Sequence, residues 1–380
     1  MRIGLITGEY PPMQGGVGAF TRELARAFVS AGHVPHILTD QAAEEGTEAG
    51  IHLSAAIQNW NLASLGAIQN WARHAEVEII NLQFQAAAYN MAGLIHLLPN
   101  LLRRLPLVVT FHDLLVPYLF PKAGGLRTRA VTHLARSAAG VIVTNPADEQ
   151  QLIDTGGVKA LRRIPIGSNI PHTPPPDYDR ARWRRTLGIP SEAFVLGYFG
   201  FMNASKGIET LLQGMRYAID QGAGVYLLLI GGRVGVSDPT NLGYADQIDR
   251  YIQTLNLTGR VHRTGFVGES EVSAHLLCCD LLVLPYSDGV SLRRGSFMAG
   301  LAHGCPILTT TPKVPHPEIQ EGQNVALIPP DNPTALCAAL LRLIADPTRR
   351  AALGQGAQTL AQSFRWDQIA SETVRFFQSL

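Results

Sequence analysis

The sequence predicts an α/β protein built from two halves of similar organisation. Short apolar runs alternate with amphipathic stretches along the 380 residues, and hydrophobic residues make up 46% of the chain. A proline-rich interruption that begins near residue 171 divides this alternation into two series. The length also suits two domains, since a domain commonly has about 100–200 residues.

The first series predicts parallel strands that are covered by helices on both faces. Its apolar runs are hydrophobic at successive positions, as strands buried on both sides must be. Alternation of such strands with helices indicates right-handed βαβ units. We predict strands over residues 3–7, 34–38, 77–82, 107–111, 141–144 and 161–166, with helices that include 17–31 and 126–138.

The second series repeats the pattern after a stretch that cannot continue a helix or a central strand, P-H-T-P-P-P-D-Y. We predict domains over residues 1–170 and 191–362, a linker over 171–190 and a last amphipathic helix over 363–380. In the second domain, strands are expected at 194–200, 225–230, 261–266, 281–285, 307–310 and 325–328, with helices that include 207–221, 244–255, 270–279 and 297–303.

Composition excludes several classes of protein. Lys plus Arg numbers 31 and Asp plus Glu 30, so the net charge of +1 argues against a dedicated nucleic-acid binder. The four cysteines form no C-x-x-C pair, so neither a disulfide framework nor a zinc site is expected, and buried thiols suit a reducing compartment. Residues 1–10 are too polar for a secretory signal, and no apolar run reaches a membrane span. We therefore expect a cytoplasmic location.

Two features of the first half are candidates for ligand binding. A glycine-rich turn that contains Gly15 and Gly16 joins the first strand to a helix, where backbone amides favour a phosphate. His112 follows a predicted strand at the edge of the sheet where ligands bind, and it could donate a hydrogen bond to a substrate hydroxyl. The alternatives are a flexible loop with tight-turn glycines, and a histidine that only supports other residues or faces solvent.

Two features of the second half are candidates for anion binding. Lys206 opens a helix six residues after Gly200, where it could neutralise a phosphate, although a solvated lysine fits the spacing as well. Arg293 and Arg294 lie between small residues before an apolar helix, and arginine suits bidentate phosphate recognition. Ser291, Ser296 and backbone amides would complete that site. The alternative is that the arginines face solvent or pair with Asp288 or Glu318.

In this order, the motifs resemble those of GT-B glycosyltransferases, and of glycosyltransferase family 4 in particular. The resemblance covers nearly the whole chain. Its motifs are P-P-M-Q-G-G-V-G at 11–18, G-H-V at 32–34, T-F-H-D at 110–113, I-P-I-G at 164–167, G-F-M-N-A-S-K-G at 200–207, G-F-V at 265–267, Asp280, L-P at 284–285, A-H-G-C-P at 302–306, E-I-Q-E-G-Q-N at 318–324 and S-F-R-W at 363–366.

The resemblance implies two Rossmann-like domains with a cleft between them and a last helix that crosses back to the first domain. It further implies a nucleotide-sugar donor, an acceptor, transfer with retention of configuration, and no required metal or cofactor. We predict catalytic roles for four residues, Lys206, Arg293 and Arg294 on the donor side and His112 on the sugar side. The other residues expected on the donor side are Gly15, Gly16, Gly200, Val267, Ser291, Ser296 and Glu318, and those on the acceptor or sugar side are Tyr10 and Asn145.

The sequence departs from this family at two places. The arginine normally found five residues before the lysine is replaced by Phe201, and a glutamate pair eight apart falls on Ser291 and Ala299. A second register, which aligns Asp288 and Ser296 instead, stays open. Our hypothesis is that Arg293 or Arg294, which lie near the expected diphosphate, replaces the lost cation. Removal of the two carboxylates would also relieve repulsion with a phosphate donor.

The sequence leaves three candidate functions open, together with a possible contact with a membrane surface. A glycosyltransferase leads, followed by a sugar-nucleotide epimerase of the same fold and by a homologue that binds a ligand without turnover. The basic stretch 126–136 could touch a membrane surface peripherally, although such a face is more often solvated. The donor base, the sugar, the acceptor and the oligomeric state cannot be read from the sequence.

Overall fold

The computed structural model describes residues 1–13, 15–43, 46–102, 104–114, 124–232 and 242–380. They separate into two compact units, Met1–Gly167 together with Phe364–Leu380, and Ser168–Ser363. Each unit holds a sheet of mainly parallel strands covered by helices, which confirms the predicted fold class. Within these ranges, every helix is too short or too polar for a membrane span.

The first unit has an eight-stranded sheet in the order β3-β4-β2-β1-β5-β6-β7-β8. All neighbouring strands are parallel except β3 and β4, which form an antiparallel edge. The strands are β1 Arg2–Thr7, β2 Val34–Asp40, β3 Gly46–Glu48, β4 Ile51–Ile57, β5 Ile79–Phe84, β6 Leu107–Phe111, β7 Gly140–Val143 and β8 Leu161–Arg163.

The helices of the first unit bury apolar faces against this sheet. They are α1 Gly16–Ser30, α2 Ser64–His74, α3 Leu98–Leu101, α4 Gly124–Ser137 and α5 Pro146–Thr155, and α13 Trp366–Gln378 joins them from the end of the chain. Helix α13 packs on α1, where Ile369, Phe376 and Phe377 share a buried cluster with Phe20 and Phe28. Hydrophobic residues recur at helical spacing in α13, so one of its faces is apolar.

The second unit has a six-stranded, fully parallel sheet in the order β11-β10-β9-β12-β13-β14. Its strands are β9 Phe194–Phe199, β10 Val225–Ile230, β11 Val261–Arg263, β12 Leu281–Leu284, β13 Ile307–Thr310 and β14 Ala326–Ile328. Its helices are α6 Arg180–Thr186, α7 Ile208–Asp220, α8 Leu242–Thr254, α9 Glu269–Cys278, α10 Gly295–Ala302, α11 Pro333–Ala345 and α12 Pro347–Ala361. This is the strand order of a doubly wound dinucleotide-binding fold.

The predicted linker, residues 171–190, contains a helix that sequence patterns did not reveal. Helix α6 begins after Asp179, whose carboxylate accepts a hydrogen bond from the Arg182 amide at 2.7 Å. Its Arg184 is buried and donates to the Asp280 carboxylate at 2.7 Å. Asp280 also accepts from Arg180 and from the Val195 amide, each at 2.7 Å. These bonds tie α6 to the start of β9 and the end of α9, so this part of the stretch belongs to the second unit.

Replacing Asp280 by alanine should destabilise the second unit, because it leaves the Arg184 guanidinium buried without its carboxylate partner. Loss of one partner of a buried ion pair costs about 3 kcal/mol or more. We expect this loss in the free energy of unfolding measured by urea denaturation.

The matched control is Asp177→Ala. Asp177 makes an exposed contact with Arg182 at 3.7 Å, and such surface pairs contribute about 0–1 kcal/mol. Equal destabilisation by the two substitutions would contradict the structural role of Asp280.

Candidate functional site

The site in the second unit lies where the strand order of its sheet reverses. Strands β9 and β12 are neighbours, and the chain continues from them toward opposite edges of the sheet. Loops that follow such strands border the crevice in which doubly wound folds bind ligands. Two segments occupy this position, the lysine loop (residues 200–207) after β9 and the arginine segment (residues 285–296) after β12.

A close backbone contact joins the lysine loop to the arginine segment. Gly207 has φ +64°, and a Cβ atom at this residue would lie 1.9 Å from the carbonyl oxygen of Pro285. The amide of Ser287 donates to the carbonyl of Ser205 at 3.0 Å. Only glycine allows both the positive φ and this approach. The contact therefore fixes the loop that carries Lys206 against the segment that carries the arginines.

Lys206 lies over the end of β9, in an enclosed position. A Cβ atom on Gly200, which has φ +120°, would lie 2.6 Å from the Lys206 Nζ. Burial and, to a smaller extent, the charge of Arg294 together lower the pKa of Lys206 to about 8. Two cations close together in an enclosed site favour an anionic ligand, since an anion would offset their repulsion.

Arg294 is held in place by two neighbours. Its guanidinium forms an ion pair with Asp288 and lies over the Tyr286 ring, with the guanidinium carbon 4.6 Å from the ring centroid. The Tyr286 hydroxyl is 2.7 Å from the Ser296 hydroxyl, and burial raises the pKa of Tyr286 to about 12. The pairing with Asp288, an alternative raised from sequence, is therefore present, yet the charge of Arg294 still acts on Lys206.

Several predicted donor-side residues meet at this point. Gly200, Lys206, Arg294 and Ser296 form one cluster, and the Cβ of Ser296 lies 3.9 Å from the position a Gly200 Cβ would take. Ser291 contributes its carbonyl, which accepts from the Arg294 amide at 3.1 Å and shapes the turn before α10. We refer to Gly200, Lys206, Ser291, Arg294 and Ser296 as the cation cluster.

The remaining donor-side residues lie on neighbouring segments. Phe201, which replaces the expected arginine, packs beside Gly232 after β10, at 3.3 Å from the position of a Gly232 Cβ. Val267 is half-buried after β11. The Glu318 Oε2 is buried without a hydrogen-bond partner among the described residues, and its backbone carbonyl accepts from Asn324 at 2.8 Å. Arg293 is adjacent in sequence to the cation cluster, and its role there stays a prediction.

The helix that follows the glycine-rich turn of the first unit already has an anion at its N-terminus. Glu9 is buried, and its Oε1 accepts from the amides of Val17 at 2.9 Å and Gly18 at 3.2 Å. A Cβ atom on Gly15 would lie 2.0 Å from this carboxylate. Burial raises the pKa of Glu9, and these two amide bonds counteract that rise.

Glu9 therefore supplies the negative charge that a helix N-terminus attracts. The Val17 and Gly18 amides are used within the chain, and the assignment of a donor phosphate to Gly15 and Gly16 stays a prediction. Gln14 of the same turn lies outside the described residues. Sequence reasoning missed Glu9, although an acidic residue between a strand and a glycine-rich turn is a visible signal.

Two residues predicted for the acceptor side, Asn145 and Tyr10, are buried within the first unit. Asn145 is buried and caps α5, because its Oδ1 accepts from the Asp148 amide at 2.9 Å and its Nδ2 donates to the Asp148 carboxylate at 2.6 Å. Tyr10 is buried in the cluster that includes Phe20, and its hydroxyl has no hydrogen-bond partner within the described ranges. Burial raises the pKa of that hydroxyl. The structure thus gives Asn145 a capping role, which the Asn-Pro pair at the start of α5 signals and sequence reasoning missed.

His112 lies at the end of β6 in contact with a polar residue of β5. Its Nε2 is 2.9 Å from the Gln83 Oε1, and its ring meets the Phe20 ring edge to face with centroids 4.7 Å apart. Burial lowers the pKa of His112 to about 4, so the imidazole is neutral near pH 7. Sequence reasoning found His112 but missed Gln83. The available signal was two polar residues, Asn81 and Gln83, inside a strand that is otherwise apolar.

Two family models match the chain, one in each half. The model described as "Glycosyl transferase 4-like domain" matches residues 15–167, and "Glycosyl transferases group 1" matches residues 193–346. Curated relatives include two D-inositol 3-phosphate glycosyltransferases. The one from Kineococcus radiotolerans is 23% identical, and the match covers 64% of this chain and 58% of that protein. The one from Streptomyces bingchenggensis is 24% identical, and the match covers 55% of this chain and 45% of that protein. The chain thus spans about half the length of these relatives.

Solved structures of similar fold cover the whole chain. The Anabaena protein HepE in complex with UDP-glucose has a TM-score of 0.79 at 20% identity, covering 100% of both chains. Sucrose-phosphate synthase from Thermosynechococcus elongatus has a TM-score of 0.77 at 21% identity, covering 100% of this chain and 98% of that one. Two family models that together cover most of the chain, two Rossmann-like sheets and these structural neighbours lead to one conclusion: the chain belongs to the GT-B glycosyltransferases of the family-4-like group.

Proposed function

We propose that this protein transfers a glycosyl group from a nucleotide-sugar donor to an acceptor hydroxyl, and that the cation cluster binds the diphosphate of the donor. The observation that carries the proposal is the placement of Lys206 and Arg294 together at the strand-order reversal of the second sheet. Membership of the family supports the same activity.

The cation cluster suits the charge that develops during such a reaction. When the bond between the anomeric carbon and the phosphate oxygen breaks, the leaving nucleoside diphosphate gains negative charge. Lys206, Arg294 and the amides at the start of α10 would stabilise that charge, because fixed donors in an enclosed site need no rearrangement during the reaction. Enclosure disfavours an uncompensated cation, and the pKa of Lys206 is lowered accordingly.

Retention of configuration without a required metal ion is part of the proposal. The family resemblance implies both properties. The positions expected for the family glutamates hold Ser291 and Ala299, and the nearby Asp288 is paired with Arg294. A covalent sugar intermediate on a carboxylate at these positions therefore has no support. The cations of the cluster would neutralise the diphosphate without a divalent ion.

The first donor to test is UDP-glucose, since HepE was crystallised with it. Purified protein is incubated with UDP-glucose and a panel of sugars, inositol phosphates and lipid-linked glycans, and products are identified by mass spectrometry. Transfer supports the proposal. Conversion of the donor without an acceptor would favour an epimerase instead, and absence of binding to any nucleotide sugar would favour a homologue without turnover.

The pH dependence of donor use should follow the charge of Lys206. The lysine is a cation below its pKa of about 8 and is neutral above it, so kcat/KM for the donor should fall as the pH rises through about 8. This ratio reports groups of the free enzyme.

Lys206→Met should lower kcat/KM about 10- to 100-fold, the loss expected for a charged hydrogen bond of about 1.5–3 kcal/mol, and it should abolish the limb near pH 8. Lys159→Met, which removes an exposed lysine of the first unit, serves as control. Persistence of the limb in the Lys206 variant would contradict the assignment.

Arg294→Gln should weaken UDP binding about tenfold in calorimetry, and Arg293→Gln should weaken it less. Arg294 is the arginine whose charge acts on Lys206, and about 1.4 kcal/mol corresponds to a tenfold loss. Wild-type affinity in both variants would refute the replacement of the lost family cation.

The variant Asp288→Asn combined with Arg294→Gln separates two causes of the loss. Arg294→Gln also removes the ion-pair partner of Asp288, and the freed carboxylate would repel a diphosphate. A loss that persists in the double variant comes from the missing guanidinium, whereas full recovery would assign it to the carboxylate.

A further inference from the structure

A line of buried polar side chains runs through the centre of the first sheet. Asn81 and Gln83 of β5 and Thr110 of β6 are buried among apolar residues. Buried amides are unfavourable unless they are hydrogen-bonded. Alternate residues of a strand share one face, so Asn81 and Gln83 point to the same side of β5. The line ends at His112, at the edge of the sheet.

The direction of each hydrogen bond in this line is fixed from one end. The carbonyl of Val108 can only accept, so the Asn81 group that approaches it at 3.3 Å is the donating Nδ2, which also bonds the Thr110 hydroxyl at 2.8 Å. The Asn81 Oδ1 is then an acceptor for the Gln83 Nε2. The Gln83 Oε1 in turn faces the His112 Nε2 at 2.9 Å, so that nitrogen must carry the proton.

The other ring nitrogen of His112 is left as an acceptor. A neutral imidazole has one protonated nitrogen and one lone pair, and burial keeps the pKa of His112 low enough for the neutral form. His112 as a whole residue is partly exposed, and within the described ranges its side-chain hydrogen bond is the one from Nε2 to Gln83. In this tautomer Nδ1 would accept a hydrogen bond, whereas sequence reasoning considered His112 as a donor.

We propose that Gln83 is a positioning residue that holds His112 in the Nε2–H tautomer, so that Nδ1 accepts a hydrogen bond from a substrate hydroxyl group. The assignment of the hydroxyl to a substrate rests on the proposed glycosyl transfer. The tautomer itself does not, since it follows from contacts within the first unit.

The tautomer is measured by long-range ¹H–¹⁵N NMR on protein labelled at histidine, without substrate. His112→Asn identifies the His112 signals. We expect a protonated Nε2 and an unprotonated Nδ1 in the wild type, and a shift toward the Nδ1–H form or a mixture in Gln83→Leu. The matched control is Gln151→Leu, which alters an exposed glutamine of α5 and should leave the signals unchanged. An Nδ1–H tautomer in the wild type, or no change in Gln83→Leu, would overturn the proposal.

Kinetics test the contact with the substrate. In Gln83→Leu, the KM for the substrate that bonds Nδ1 should rise about tenfold with kcat nearly unchanged, as expected when an interaction common to the ground and transition states is lost. An unchanged KM for both donor and acceptor would overturn the hydroxyl contact. If the NMR shift occurs but the wild type transfers no sugar, the proposed function fails and the positioning role of Gln83 stands.

A variant that does not fold is replaced by a second one. Gln83→Leu leaves the Asn81 Oδ1 without its donor, whereas Asn81→Leu combined with Gln83→Leu removes both amides. The double variant should show the same tautomer shift. Even where neither variant folds, the wild-type spectrum can overturn the proposal, since the predicted tautomer is a property of the native protein.

Discussion

The approach of Gly207 to the carbonyl oxygen of Pro285 is the constraint on which the site of the second unit depends. A side chain at residue 207 cannot be accommodated, because its Cβ would lie 1.9 Å from that oxygen. The contact joins loops from two neighbouring strands whose chains then diverge. It thereby places Lys206 within the electrostatic reach of Arg294 and gives the second unit two cations at one edge of its sheet.

The two units differ in how positive charge at the edge of the sheet is compensated. In the first unit, the N-terminus of α1 receives the carboxylate of Glu9, so its positive end is compensated within the chain. In the second unit, Lys206 shares its enclosure with Arg294, and among the described residues Arg294 is paired with Asp288 whereas Lys206 has no ion-pair partner. A phosphate-bearing ligand is accordingly favoured at the second unit. At the edge of the first sheet, the candidate ligand-binding side chain His112 is neutral instead.

Sequence reasoning found the strands and the lysine but not the contacts that give side chains their roles. Asn145 was placed at the end of a strand correctly, yet its amide caps α5. Part of the stretch expected to be a linker forms α6, since the bond between Arg184 and Asp280 joins residues 96 positions apart. The Arg184–Asp280 bond cannot be read from local patterns, because folding brings its partners together. The Asn145 cap is local, since an asparagine followed by a proline commonly begins a helix, and sequence reasoning missed that signal.

The sequence by itself determined the fold class, the division into two α/β series, the family and the candidate cations. These features can be read from the periodicity of apolar residues and from short motifs in a fixed order, because both are patterns among residues that are near one another in the sequence. Only the tertiary structure decided that Arg294 is the arginine whose charge acts on Lys206, that Glu9 fills a helix N-terminus and that Gln83 orients His112. The physical reason is that charge coupling and hydrogen-bond direction depend on distances between residues far apart in the chain, which packing alone sets.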